Sequence, residues 1–496
     1  MRVPSSVSSS GGLLDVVLTL EAASVVIDSM DLGIFTLNGT LPGPTLRIKP
    51  GDRLRIRFQN LLPAQPNARF GYVDESNLHF HGLHVPGDLP SDDTKLVVGP
   101  GGEFQYETVL PEYHMPGTNW IHPHRHGSSA LQVGGAAALA LIVDDAPGSL
   151  PEEVANAEEV LLVVQDLALQ ELSRIAQQSG DSLVWSAPAG NPPDLLLING
   201  EHMPEIAATP GRWQRWRVIF AGWRNVGRSA LNFAVDGCTM QLLAKDGMYI
   251  SDFPRSIQLA PIPAGGRADV MVKCPSPSSR YRVTSGETLI GFVDTSAVPV
   301  SSSELSSWSP VLPDYMQDLQ TTPASEGCSC ETEVEEASIN GVPFSEDTVL
   351  HETFLGAVVE RKIDTGGHPY HQHFYPFQLV DGFRSEDFFH LGDWHDTFMS
   401  DGLTREPVTV RYKTTFIAGE MMLHCHRLDH EDRGSMAFET ISPTGSACSC
   451  SARALDTGNI VIIAVAVSAA VCVVIAVFGF CFWRRRSPRR ADVGPE

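Results

Sequence analysis

Ten of the 17 histidines in this 496-residue chain fall in four short motifs. These are His79-Phe80-His81, His122-Pro123-His124, His368-Pro369-Tyr370-His371-Gln372-His373 and His424-Cys425-His426-Arg427-Leu428-Asp429-His430. On a strand, residues i and i+2 share a face, so each His-x-His sets two imidazoles side by side. Converging, the pairs 79/81, 122/124, 371/373 and 424/426 would supply eight nitrogens to a multinuclear metal site. Cys425, between the last two, points to the opposite face. With His368 and His430 it makes a His2Cys set, which suits an electron-transfer copper. Cys425 would then link the two sites through bonds, because its chain neighbours belong to the cluster. A single His-x-His pair is usually a surface or satisfied core pair, but four of them around a His-Cys-His are not a chance set. Zinc, the main inorganic rival, needs neither eight clustered imidazoles nor a separate His2Cys set. The other seven histidines (84, 114, 126, 202, 351, 390 and 395) read as surface or structural residues.

Strands must position these motifs. Residues 14–60 alternate apolar and polar, with turns at Asn38-Gly39, Pro42-Gly43-Pro44 and Pro50-Gly51-Asp52. An apolar-Asn-Gly turn recurs in three places: Leu37-Asn38-Gly39, Ile198-Asn199-Gly200 and Ile339-Asn340-Gly341. This predicts an all-β chain of three Greek-key β-sandwich domains, at 14–147, 155–298 and 337–443. A short helix is expected within Glu152–Arg174. Residues 299–336, rich in Ser, Thr, Pro and Glu, read as a linker.

The formal net charge is −24, which argues against a nucleic-acid partner. Residues 460–483 are apolar with no charge, long enough at about 1.5 Å per residue to cross a bilayer as a helix. Five arginines follow in 484–496, which predicts a single-pass membrane protein with a short cytoplasmic tail and an extracellular or lumenal body. No N-terminal signal stands out to deliver that orientation. Of nine cysteines, Cys472 and Cys481 lie in the apolar run and Cys425 in its motif. Cys238, Cys274 and two Cys-Ser-Cys pairs, 328/330 and 448/450, allow up to three disulfides in an oxidising compartment. Cys-Ser-Cys is also a soft-metal motif.

The four histidine motifs, in this order, resemble those of the multicopper oxidases, which include laccases, ascorbate oxidases, ferroxidases and cuprous oxidases. The resemblance covers about residues 14–443 and implies three cupredoxin-like domains and four copper ions. It implies His368, Cys425 and His430 as type 1 ligands, and His79 and His371 as type 2 ligands. The type 3 pair would take His81, His122, His124, His373, His424 and His426. At the axial type 1 position, usually Met, Leu or Phe, stands Ser435, with Met436 one later. Either Met436 coordinates or the copper is effectively three-coordinate. Asp92, beside Asp93, and Glu431 resemble acids that supply protons to O2. Asp364 resembles an acid that binds a substrate ion, although the family's nearby Met is Gly366 here. Asp396 is a second candidate.

The expected reaction is one-electron oxidation of a phenolic or aromatic substrate coupled to four-electron reduction of O2 to water, as in laccases. The alternative is a metal-ion oxidase acting at the membrane on Fe(II), Cu(I) or Mn(II), with a metal permease as its partner, since a single C-terminal helix resembles fungal ferroxidases. A copper-binding surface protein without turnover is the remote alternative, set against the full ligand set.

Overall fold

The computed structural model describes residues 1–450, except 65–72, 171, 173–193, 225–229, 348, 383–385 and 401–406. The apolar run 460–483 and the basic tail 484–496 lie outside the described residues. Among the described residues, no helix is long and apolar enough to cross a membrane.

Six sheets dominate, two from each successive part of the chain. In the first part, strands Met30–Leu37, Leu13–Ile27, Arg53–Asn60 and Glu103–Val109 form one sheet. The other runs Ser6–Ser8, Thr45–Ile48, Leu139–Val143, Gly117–His122 and His79–His81. In Arg53–Asn60, Leu54, Ile56, Phe58 and Asn60 are buried while Arg53 and Arg57 are exposed, which is the period-2 pattern of a strand with one face on a core. The third part repeats the plan with two five-stranded sheets. Helices are short, such as Ser129–Gly134, Glu152–Ala155 and Leu428–Glu431. Within Glu152–Arg174 the described residues hold the short helix Glu152–Ala155, the strand Glu158–Leu167 and further helical residues at Leu169, Gln170 and Leu172.

The repeated Asn-Gly turn has one structure in all three places. Asn38, Asn199 and Asn340 have positive φ (55°, 51° and 52°), as do the glycines that follow. Each asparagine side chain then clamps the neighbouring strand. Asn38 Oδ1 accepts the Thr19 N–H and its amide donates to Val17 O. Asn199 does the same with Val163 and Leu161, and Asn340 with Glu333 and Glu331.

The stretch expected as a linker, 299–336, is partly built into the third region. Ser329–Glu333 is a strand paired in parallel with Val358–Asp364. Its polar residues alternate with buried Cys330 and Thr332, so average composition hides the pattern. Among the described residues three disulfides are present: Cys238–Cys274, Cys328–Cys448 and Cys330–Cys450.

Candidate metal centre

Pairing of short strands brings the histidine motifs together. His79–His81 pairs antiparallel with Gly117–His122, setting His79 opposite His122. Tyr370–Gln372 pairs with Gly419–Cys425, setting His371 opposite His424 and Tyr370 opposite Cys425. The two pairs of strands meet face to face. His79 stacks on His373 and His81 on His371, each with ring centroids 3.8 Å apart. His124 Nε2 lies 3.2 Å from His424 Nε2, and His371 Nε2 lies 3.4 Å from His79 Nε2. Seven of the eight His-x-His residues fall into three mutually close sets: 79/371/373, 79/81/122 and 124/373/424. The eighth, His426, has its ring centroid 5.0 Å from that of His81 and 5.4 Å from that of His122.

This cluster is buried, and burial together with its crowded neighbours depresses every imidazole. His79, His81, His122, His373, His424 and His426 are held well below the usual range, His124 falls to about 4 and His371 to about 3. The rings are therefore neutral, with lone pairs to offer. His122, His371 and His424 donate their Nδ1–H to the carbonyls of Pro123, Asp396 and Cys425, which turns their Nε2 lone pairs inward. Nothing polar receives the inward nitrogens of His122, His373 and His426. Buried lone pairs facing one another without donors are costly in a bare protein and are what a cation would satisfy. All-imidazole donors suit copper, so the residues fit the metal the sequence implies.

On the other face of Gly419–Cys425, Cys425 Sγ lies 3.5 Å from His368 Nδ1 and 3.9 Å from His430 Nδ1. Cys425 is the only described cysteine outside a disulfide, and burial pushes its thiol up. Thiolate form there requires a cation, again consistent with a metal. The Arg427 N–H donates to the sulfur, and Leu428 N–H bonds to Trp223 O, which anchors the loop that carries His430.

Met436 does not join this set. It sits opposite His424 in the strand pair and packs with Met422, Phe438 and Phe344, on the face away from Cys425. Strand alternation therefore turns its side chain away from Cys425. Ser435, on the Cys425 side, donates its hydroxyl to Glu335 O at 2.5 Å.

The acids separate clearly. Asp92 is buried and holds His79 Nδ1 at 2.9 Å and the Phe80 N–H at 2.8 Å, whereas Asp93 accepts from the Lys95 N–H. Glu431 is fully buried, accepts from Ser129 Oγ and lies 3.7 Å from His124 Nδ1. Burial raises the pKa of both Asp92 and Glu431. Asp364 is exposed, and its carboxylate accepts a local bond from the Gly366 N–H. Asp396 is the second candidate for binding a substrate ion. It is buried, accepts two bonds from Arg267 at 2.6 and 2.7 Å, and stands 3.4 Å from His81 Nε2. That places it against the histidine cluster. Arg267 itself comes from the middle part of the chain, where no motif marks it. Only its surplus charge in an apolar strand, Arg267–Lys273, hints at a buried partner.

Models described as multicopper oxidase match residues 21–147, 159–298 and 310–443. The chain is 24% identical to multicopper oxidase mco of Staphylococcus aureus over 80% of this chain and 82% of that one. It is 24% identical to the iron transport multicopper oxidase FET3 of Gibberella zeae, over 82% and 72%. Among solved structures, a laccase from Pediococcus acidilactici superposes with a TM-score of 0.70 at 21% identity, covering 89% of this chain and 93% of that one. The fold is thus the all-β, cupredoxin-like one.

Proposed function

Because the chain belongs to the multicopper oxidases, copper-dependent oxidoreductases that use O2, we propose that it oxidises phenolic or aromatic substrates one electron at a time and reduces O2 to water. In this reading His368, Cys425 and His430 hold a type 1 copper. His79 and His371 hold a type 2 copper, and His81, His122, His124, His373, His424 and His426 a type 3 pair. Bound copper supplies the redox chemistry, accepting single electrons at the first set and delivering four to O2 at the second.

The chain's own residues do the rest. The observation that carries the reading is Cys425: its side chain faces His368 and His430, while its bonded neighbours His424 and His426 face the cluster. An electron crosses from one site to the other through the Cys425 side chain and two lengths of backbone. Asp92 orients His79 and holds a proton beside it. Glu431 holds another beside His124, in a pocket closed to bulk water. Asp396 and Arg267 hold His371 through the Asp396 carbonyl. We propose that Asp396 positions the cluster and binds no substrate.

A second reading, oxidation of Fe(II), Cu(I) or Mn(II), is favoured by exposed Asp364, four residues before His368. Against it, the acid nearest His430, Asp429, is already paired with Arg433 at 2.9 Å. Under either reading, residues 460–483 and the following arginines anchor the body to a membrane, and a metal permease is a partner only under the second. The distinguishing experiment is kcat/KM of the copper-loaded full chain for a dimethoxyphenol and for Fe(II), with and without Asp364→Asn. The laccase-like reading expects the phenol to be preferred and Asp364→Asn to be silent. A preference for Fe(II) that Asp364→Asn abolishes would establish the second.

A further inference from the structure

The two Cys-Ser-Cys segments meet in register, Cys328 with Cys448 and Cys330 with Cys450, at a sequence separation of 120 in both cases. The strand Val349–Phe354 backs them. Glu352 exchanges both backbone hydrogen bonds with Ser449, at 2.9 and 2.8 Å. That fixes the side chains two apart on the strand against the two bridges. Thr353 Oγ1 lies 3.2 Å from Cys448 Sγ. His351 presents a ring nitrogen to the other bridge, within 4.8 Å of both Cys330 and Cys450 sulfurs.

His351 is 2% exposed, and neither ring nitrogen has a hydrogen-bond partner. Burial holds it at about 3, so it is a neutral imidazole with an unused lone pair. A buried polar ring normally finds a partner. The ligand atoms placed with it here are two sulfurs, and none of the three residues belongs to the copper centres described above. Each bridge joins a buried cysteine, Cys328 or Cys330, to a partly exposed one, Cys448 or Cys450, but Cys450 Sγ lies 3.5 Å from Gly327 O at an exposed contact, whereas the contact of Cys448 Sγ with Thr353 is half-buried.

We propose that Cys330, Cys450 and His351 form a redox-gated site for a thiophilic d10 ion such as Cu(I). Two thiolates and an imidazole are the soft-to-borderline donors such an ion selects. A dithiol opens the site: the Cys330–Cys450 bond gains two electrons and two protons, and the dithiol closes to its own disulfide. The ion then displaces the two thiol protons to solvent and binds without changing its oxidation state. Cys328–Cys448 stays closed and keeps the three donors in place.

The test uses the metal-free full chain under anaerobic conditions. Limited dithiothreitol is applied and removed, Cu(I) is added as its bicinchoninate complex, and iodoacetamide labelling of each cysteine is followed by mass spectrometry. Cys330 and Cys450 should open before Cys328 and Cys448, and Cu(I) should then slow their labelling. His351→Gln, which keeps a polar side chain, should weaken that protection by about ten-fold or more, the loss seen when even a supporting partner of a metal ligand is removed. Labelling of wild type at the same rate with and without Cu(I), or reduction of Cys328–Cys448 first, would overturn the proposal whether or not the variant folds. Undiminished protection in a folded His351→Gln would overturn it as well.

Discussion

At the scale of single residues, proton supply and the axial position are the sharpest tests. Glu431 is buried, and its carboxylate accepts from Ser129 and lies 3.7 Å from His124 Nδ1. Glu431→Gln keeps the shape and removes the exchangeable proton. Multiple-turnover O2 reduction should fall by about 10²-fold or more. Reduction of the blue copper by substrate under anaerobic stopped flow should keep its rate; equal turnover in the variant would count against the relay. Met436 faces the Met422–Phe438 cluster. Met436→Leu should therefore leave the blue absorption and the potential of the type 1 copper unchanged, with a stability loss under about 1.5 kcal/mol for a volume-conserving swap. The histidines and Cys425 were legible in the sequence because i, i+2 spacing alone assigns a face. The identity of the acid on His79 was not. Asp92 and Asp93 are adjacent and chemically alike, and only the turn between Pro86 and Leu96 decides which of them faces inward.

At the scale of elements, the cluster histidines sit on or just beyond four strands, two of them only three residues long, so their neighbours set its precision. Gly265 has φ +86°, and a Cβ there would come within 2.6 Å of the His426 ring. Gly265→Ala should displace His426 while leaving the Cys425 side of the strand intact. The blue absorption should persist while turnover drops by on the order of 10²-fold, as for a small misplacement of a reacting group. Copper content and the spectrum read the two sites separately. The Asn-Gly turns were readable because that pair has strong local preferences. The strand Ser329–Glu333 was not, since its pairing partner lies in Val358–Asp364 and its own composition is that of a loop. The face of Met436 was not legible for a related reason: counting from His430 ignores that the chain re-enters the sheet at that residue, where pairing with His424 fixes its face.

At the scale of the whole molecule, buried ion pairs bind the three regions around the metal centre. Arg215 and Arg217 share Asp269, whose other oxygen accepts from Thr118 of the first region. Lys245 and Arg255 of the middle region clasp Asp393 of the third. Burial pulls Lys245 down to about 8 despite that partner, because Arg255 shares the same carboxylate. Burial alone would raise Asp393, but Lys245 and Arg255 reverse this and hold it below its ordinary value of 3.8. A depressed carboxylate stabilises the fold above its unfolded value and loses that contribution as pH falls through the folded one. Asp393→Asn should therefore cost about 3–5 kcal/mol at neutral pH, as breaking a buried pair does. The gap to wild type in denaturant melts should be full above pH 3.8 and narrow below it. A constant gap across that range would contradict the assignment. None of these contacts was legible in the sequence, because each joins residues at least 52 positions apart and no local pattern marks an ion-pair partner.

The central claim is that one chain passes single electrons from Cys425 to a buried histidine cluster that completes the reduction of O2. The most direct measurement is the stoichiometry of the copper-loaded full chain with a dimethoxyphenol, following O2 uptake, substrate oxidation and hydrogen peroxide together. The account expects four electrons consumed per O2 and no peroxide released, with Cys425→Ser abolishing uptake while copper stays in the cluster. Release of peroxide in proportion to O2, or undiminished uptake in Cys425→Ser, would contradict it.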